Sequence, residues 1–246
     1  MRRFVALFAL LASLFAAPLQ AQQRVVTTVV VEEWVVEGAD RFVAARPAAQ
    51  PRATASYGPF RVLDAARAAL VDVTGAASPA HFAAMLRAHP AVRTLEMVDC
   101  PGTADDSANM KLGRMLRAAG LATHVPRGGS VRSGAVELFL AGAERRIDEG
   151  AEFAVHAWLD DEGRQPADFA ADAAENRTYL DYYREMGMAP EQARAFYAMT
   201  NSVPHEEARW LDAREMRQWL GEGLGNTPNG ELAQARPVLA YASLSL

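Results

Sequence analysis

Ser133 and His156 are the two residues of this sequence whose types and surroundings suit acyl-transfer chemistry. Ser133 is followed by Gly134 and by the run Ala135 to Ala141, in which every residue except Glu137 is apolar. A helix that is apolar nearly all round belongs inside a domain, and its first turn carries unpaired N–H groups and partial positive charge. An anion forming beside Ser133 would be stabilised there, as the oxyanion of a nucleophilic serine requires.

A nucleophilic serine also needs a base. His156 directly follows the apolar residues Phe153 to Val155, and the end of a buried strand can present an imidazole to a cleft. Alternatives remain open at this point. Ser133 or Ser130 could be only the N-cap of the helix, Ser130 is a rival nucleophile, and a single histidine at a strand end is often structural.

Residues 1–21 have the pattern of a secretory signal peptide. Arg2 and Arg3 precede an apolar run from Phe4 to Ala17, and Pro18-Leu19-Gln20-Ala21 leads to a cleavage site after Ala21. We therefore expect a periplasmic or secreted protein with no stable membrane span after cleavage, since the apolar run is short for a span. The remaining chain has 23 basic and 30 acidic residues, a formal charge of −7 that does not favour nucleic acid as a partner.

Cys100 is the single cysteine, so an intramolecular disulfide is excluded and a thiolate metal cluster is not expected. The other histidines lack the spacing of a metal site, in which two histidines four residues apart accompany a carboxylate. These histidines are His81, His89, His124 and His205. The sequence therefore predicts no metal and no cofactor.

The chain divides by composition into four parts. Residues 1–21 are the signal peptide, and 22–58 contain a β-branched strand followed by a linker rich in proline and alanine. Residues 59–222 alternate strand and helix patterns and form the expected domain. The loose pattern of 223–246 predicts a C-terminal tail.

Within residues 59–222, short apolar strands alternate with amphipathic helices. The predicted strands are 60–63, 70–73, 94–98, 123–125, a weak one near 147, and 153–155. The predicted helices begin at Ser78-Pro79, cover 105–119, follow Ser133, cover 176–186, begin at Pro190 and cover 213–220. This order favours an α/β domain with ligands at the strand ends.

Four motifs occur in an order that resembles a known family. They are Pro101-Gly102, then Ser133-Gly134-Ala135 before the apolar LFLAG run, then Gly150 to His156, and finally Trp210 to Glu215. Across residues 90–222 the chain resembles the Clp-protease and crotonase-like superfamily, and is most similar to its exported bacterial serine peptidases. The resemblance implies an α/β spiral of repeated strand–strand–helix units and assembly into a homo-oligomer.

The resemblance also implies roles for individual residues. Ser133 matches the nucleophile and His156 the general base. Gly102 matches the glycine whose N–H forms one side of the oxyanion hole, and Gly134 matches the residue that supplies the other N–H. The same serine and histidine follow from the residue patterns alone.

Two positions depart from the family pattern. Thr103 stands where a second glycine is usual, and Ala208 lies near the position of the catalytic aspartate of the cytosolic peptidase. Glu207 or Glu206 could orient His156 instead, with Asp212 as a weaker candidate. Both glutamates could equally be a solvated helix start, and a serine–histidine dyad would also suffice.

The sequence therefore predicts an exported serine hydrolase that acts on a peptide or ester substrate, and the resemblance implies that it is a peptidase. The alternative is a catalytically decayed binding or scaffold protein of the cell envelope that retains the fold. The crotonase branch is a third option, but its acyl-CoA substrates are not expected outside the cytoplasm.

Overall fold

The structure is a computed structural model that describes residues 51–221. The predicted signal peptide, the N-terminal strand and the tail at 223–246 lie outside these residues. The described strands are β1 Ala55–Tyr57, β2 Phe60–Val62, β3 Arg67–Leu70, β4 Thr94–Met97, β5 Asp99–Cys100, β6 Ala122–Val125, β7 Ser130–Arg132, β8 Arg145–Ile147, β9 Glu152–Val155 and β10 Arg209–Asp212. The helices are α1 Ser78–Ala88, α2 Asp106–Ala118, α3 Ala135–Leu140, α4 Ala174–Glu185, α5 Pro190–Thr200 and α6 Ala213–Trp219.

The strands form two mixed sheets, so the predicted α/β class is confirmed. The larger sheet has the order β1-β2-β3-β4-β6-β8 and the smaller has the order β10-β9-β7-β5. Strands β3, β4, β6 and β8 run parallel, as do β5, β7 and β9, whereas β1, β2 and β10 join antiparallel.

A repeated unit generates both sheets. In each unit one strand joins the larger sheet, the next joins the smaller sheet and a helix follows: β4-β5-α2 and then β6-β7-α3. The pair β8-β9 begins a third unit. Because every second strand crosses to the smaller sheet, the residues that follow β5, β7 and β9 come together beside that sheet.

Helix α3 is the buried centre of this arrangement. All six of its residues are buried, and it packs against α2, β6, β7 and β9. The rings of Phe139 and Phe153 lie 5.1 Å apart, centroid to centroid. Each fully buried leucine or phenylalanine side chain contributes about 2 kcal/mol to stability by transfer from water. The prediction of an interior helix after Ser133 is confirmed.

Two predicted boundaries differ from the structure. β1 lies inside the segment predicted to be a linker, where the Thr54 N–H donates to the Val62 carbonyl at 2.8 Å. β3 ends at Leu70, where the predicted strand of 70–73 begins. The alanines of β3 gave no strand signal, and its pairing with β2 and β4 is a tertiary effect.

Candidate active site

Ser133 occupies a strained turn between β7 and α3. Its φ of +50° is the only positive value at a non-glycine residue among residues 51–221. Two hydrogen bonds fix the turn: the Ser133 N–H donates to the Ala154 carbonyl, and the Val136 N–H donates to the Ser133 carbonyl, both at 2.9 Å. Left-handed backbone at a serine costs roughly 1–2 kcal/mol, which the surrounding structure must offset.

A single pocket contains both Ser133 and His156. Its lining residues belong to α2 and the loop before it, to the α3 turn, and to the segments after β9 and around α4 and α5. They are Thr103, Ala104, Asp105, Asp106, Ser133, Gly134, Val136, Glu137, Val155, His156, Trp158, Leu159, Tyr179, Tyr197, Thr200, Asn201 and His205. Ser133 and His156, predicted as nucleophile and base, therefore line the same pocket, although no hydrogen bond joins Ser133 Oγ to the His156 ring.

The surroundings of His156 select its tautomer. The ring follows β9 and is 9% exposed, and its Nδ1 lies 2.9 Å from the carbonyl oxygen of Ala157. A carbonyl can only accept, so Nδ1 carries the hydrogen and Nε2 of the neutral ring carries the lone pair. Nε2 is buried and has no hydrogen-bond partner among the described residues. A proton acceptor is thus available on the ring.

Burial keeps the His156 ring neutral. Desolvation lowers the pKa of His156 below its ordinary value of 6.5, and the nearby His205 lowers it further. The hydrogen bond to the Ala157 carbonyl and the charge of Glu206 act in the opposite direction. Desolvation is the largest of these effects, so the imidazole remains a base below neutral pH.

Gly102 and Gly134 lie on either side of Ser133. Gly102 has a φ of +139°, which an L side chain rarely adopts, and the N–H groups of both glycines donate no hydrogen bond within residues 51–221. The Gly102 carbonyl accepts from the Thr74 N–H at 3.1 Å, which fixes the peptide. Two unpaired N–H groups beside a serine are the donors that an oxyanion needs.

Thr103 braces the loop that carries Gly102. Its Oγ1 lies 3.2 Å from the Thr74 carbonyl and accepts from the Asp105 N–H at 3.1 Å. Its Cγ2 fills the space beside Gly134, since a Cβ on Gly134 would lie 2.4 Å from it. Thr103 therefore packs against the serine turn.

Asn109 is a site residue that the sequence analysis did not identify. Its Nδ2 donates to the Gly134 carbonyl at 2.6 Å, and its Oδ1 accepts from Thr74 Oγ1 at 2.9 Å. Asn109 is 2% exposed on the inner face of α2. Asn109 occupies a position on the apolar face of α2, and a polar residue at such a position is a signal that could have identified it from the sequence.

None of the acidic candidates for a third catalytic residue is hydrogen-bonded to the His156 ring. Glu207 is exposed in a turn, where its N–H donates to the Pro204 carbonyl, and it does not line the pocket. Glu206 is also exposed, and Asp212 caps α6 by accepting from the Glu215 N–H at 2.8 Å. Within residues 51–221 no carboxylate forms a hydrogen bond with His156.

Two other residues considered from the sequence are buried outside the pocket. Ser130 lies on β7, and its Oγ has no partner within residues 51–221. Cys100 is fully buried at the end of β5, and burial raises the pKa of its thiol, so the thiolate is strongly disfavoured.

Helix α3 contributes a buried carboxyl to the wall of the pocket. Glu137 is 8% exposed, and its Oε1 accepts from the Tyr183 hydroxyl at 2.8 Å. Desolvation raises the pKa of Glu137 to about 7, although the hydrogen bond from Tyr183 acts against this shift. Aromatic rings complete the wall, with Trp158 stacked on Tyr179 at a centroid distance of 5.8 Å.

Residues 51–221 contain no group of three or more histidine, cysteine or acidic side chains placed to hold a metal ion. Among the helices of this part of the chain, none has the length and apolar character needed to cross a bilayer.

No protein-family model and no curated protein sequence matches the chain. Solved structures that are similar to it in fold include the following two. A variant of the 1510-N membrane-bound stomatin-specific protease in complex with a substrate peptide has 15% identity and a TM-score of 0.40, over 61% of this chain and 70% of that chain. A variant of ClpP1 from Listeria monocytogenes has 12% identity and a TM-score of 0.46, over 63% of this chain and 87% of that chain.

Proposed function

We propose that the protein is a serine hydrolase in which Ser133 is the nucleophile and His156 the general base. One observation carries the proposal: both side chains line one pocket, and the His156 tautomer leaves a lone pair on a buried Nε2 without a partner. The arrangement is a dyad in which the Ala157 carbonyl orients the base, the task that a carboxylate performs in a triad.

The reaction follows from these positions. Ser133 Oγ attacks the substrate carbonyl while its proton passes to His156 Nε2, and the N–H groups of Gly102 and Gly134 stabilise the oxyanion. The tetrahedral intermediate collapses to an acyl-enzyme, and the leaving amine or alcohol takes the proton from His156. Water, deprotonated by His156, then attacks the acyl-enzyme carbonyl. The second tetrahedral intermediate collapses as its bond to Ser133 Oγ breaks, Oγ takes the proton back from His156, and the carboxylic acid is released.

The finer parts of the proposal are that the substrate is a peptide and that the protein is exported. The order of the four motifs supports peptidase activity, and the pattern of residues 1–21 supports export. N-terminal sequencing of protein recovered from the periplasm or medium tests export, with Gln22 expected as the first residue. Full-length protein confined to the cytoplasm would contradict it.

Labelling with a fluorophosphonate probe tests the hydrolase. The purified protein should be labelled, and Ser133→Ala should abolish labelling. Ser130→Ala is the matched control, because it removes a hydroxyl three residues away on β7 and should leave labelling intact. Labelling that survives in Ser133→Ala would exclude this serine as the nucleophile.

A decayed binding or scaffold protein is the second candidate. The absence of a carboxylate on His156 within residues 51–221 favours it, as does the Thr103 methyl group packed against Gly134. It predicts a folded wild-type protein that takes up no probe at any pH between 5 and 9.

A further inference from the structure

His205 approaches the same carbonyl as His156. Its Nδ1 lies 3.0 Å from the Ala157 carbonyl oxygen, and His156 Nδ1 lies 2.9 Å from that oxygen. A carbonyl oxygen has two lone pairs, so it can accept from both rings at once. Both imidazoles therefore carry hydrogen on Nδ1, and neither tautomer can change without the loss of a hydrogen bond.

The two rings also pack against each other. Their centroids are 4.5 Å apart and their planes meet at 85°, so each ring limits the rotation of the other. His205 is held independently of His156, because its N–H donates to Gln165 Oε1 at 3.0 Å and the Ala157 N–H donates to the nearby Val203 carbonyl at 3.0 Å.

We propose that His205 is a positioning residue, whose ring holds the His156 imidazole in the orientation that presents Nε2 to the pocket. The inference rests on the proposed function. His205 lines the pocket, and its ring packs against the ring of the base. Packing of the His205 ring restrains the orientation of His156, as the hydrogen bond from the histidine to a carboxylate does in a triad.

The charges around His156 determine what a pH profile reports. His205 disfavours the imidazolium form of His156, whereas Glu206 favours it. The other titratable side chains that line the pocket are Asp105, Asp106, Glu137, Tyr179 and Tyr197. A change at His205 alone leaves all of these in place.

Two variants separate the ring of His205 from its hydrogen bond, and a third is the control. His205→Phe keeps a ring without the donor, His205→Asn keeps a donor at the Nδ1 position without the ring, and His124→Asn is the control. His124 pairs with Asp148 outside the pocket. We expect kcat for an ester substrate to fall about tenfold in His205→Asn, with KM unchanged, and by less than about threefold in His205→Phe.

The acid limb of the kcat profile should move to higher pH in both His205 variants, because each removes a group that disfavours protonation of His156. It should not move in His124→Asn. Full activity in His205→Asn, or no movement of the limb in either variant, would overturn the proposal. Loss in His205→Phe as complete as in His156→Ala would assign His205 as the base and would also overturn it.

Nitrogen-15 NMR of the five histidines gives a readout that does not need activity. His156 should be in the Nδ1–H tautomer at pH 8 in the wild-type protein and in His205→Phe, and should become a mixture of tautomers in His205→Asn. A single unchanged tautomer in all three proteins would overturn the positioning role. Failure of fluorophosphonate labelling would instead contradict the hydrolase proposal, and the NMR measurement would still test whether His205 positions the His156 ring.

Discussion

Gly102 lies directly against Ser133. A Cβ on Gly102 would stand 3.0 Å from Ser133 Cβ and 3.4 Å from Ser133 Oγ. The backbone of the loop after β5 therefore approaches the serine as closely as a residue without a side chain permits. The proposed oxyanion hole uses the Gly102 N–H group, so a side chain at this position should disturb the site.

Gly102→Ala should reduce kcat about 100-fold or more, because the methyl group displaces Ser133 and strains a backbone with φ of +139°. Ester hydrolysis by the purified variant measures the loss. Gly120→Ala is the matched control, since Gly120 has a φ of +66° and a Cβ there would meet no atom within 4 Å. The control should lose about 1 kcal/mol of stability and no activity. Equal activity in the two variants would place the oxyanion elsewhere.

Gly134→Ala should also impair the reaction, because its methyl group would lie 2.4 Å from Thr103 Cγ2. Thr103→Ser removes that methyl group and keeps the hydroxyl that accepts from the Asp105 N–H. The double variant should therefore recover part of the activity that Gly134→Ala loses. A double-mutant cycle on probe-labelling rates measures the coupling. Strict additivity would show that the two side chains do not collide.

Glu137 should make the stability of the protein depend on pH. The pKa of Glu137 is about 7 in the folded protein, against an ordinary 4.5. The contribution of the protonated carboxyl to the free energy of unfolding is therefore full below pH 4.5 and is lost as the pH rises through 7. Glu137→Gln stays neutral and can still accept from Tyr183. Its free energy of unfolding at pH 8 should exceed that of the wild type by up to about 3 kcal/mol, measured in urea.

The exposed Glu191→Gln is the control for that measurement and should change the free energy of unfolding by less than about 0.5 kcal/mol. A wild-type protein more stable than Glu137→Gln at pH 8 would indicate that the carboxylate is ionised and paired.

The rate of probe labelling should follow the neutral form of His156. Because burial lowers the pKa of His156, the pH at which the labelling rate is half its maximum should lie below 6.5. Glu206→Gln should move this midpoint to still lower pH, since the Glu206 charge favours the imidazolium form. The measurement requires low salt because Glu206 is exposed. Glu207→Gln is the comparison and should leave both midpoint and maximal rate unchanged. A large loss of labelling rate in Glu207→Gln would instead indicate a triad in which Glu207 is the carboxylate.

The sequence predicted the elements that have a long apolar signal. The α/β class, the amphipathic α2, the interior α3 and the helix beginning at Pro190 all follow from periodicity and helix-start residues. β5 and β7 were missed, because two- and three-residue strands have no periodicity and appeared as turns.

The parts of the site that escaped prediction depend on contacts between distant segments. His205 meets Ala157 across 48 positions of the chain, and Asn109 meets Gly134 across 25. Neither pairing has a local pattern. Ser133 and His156 were identified because each lies where an apolar element begins or ends, which is visible in one stretch of sequence.

The left-handed backbone at Ser133 has an evolutionary consequence. Glycine adopts that conformation without steric cost, so Ser133→Gly should fold more tightly than the natural chain by about 1 kcal/mol. In a lineage that did not need the hydroxyl, the substitution Ser133→Gly would therefore not be selected against and would increase the stability of the folded protein. Retention of the serine among related sequences would therefore indicate selection for the hydroxyl at this position.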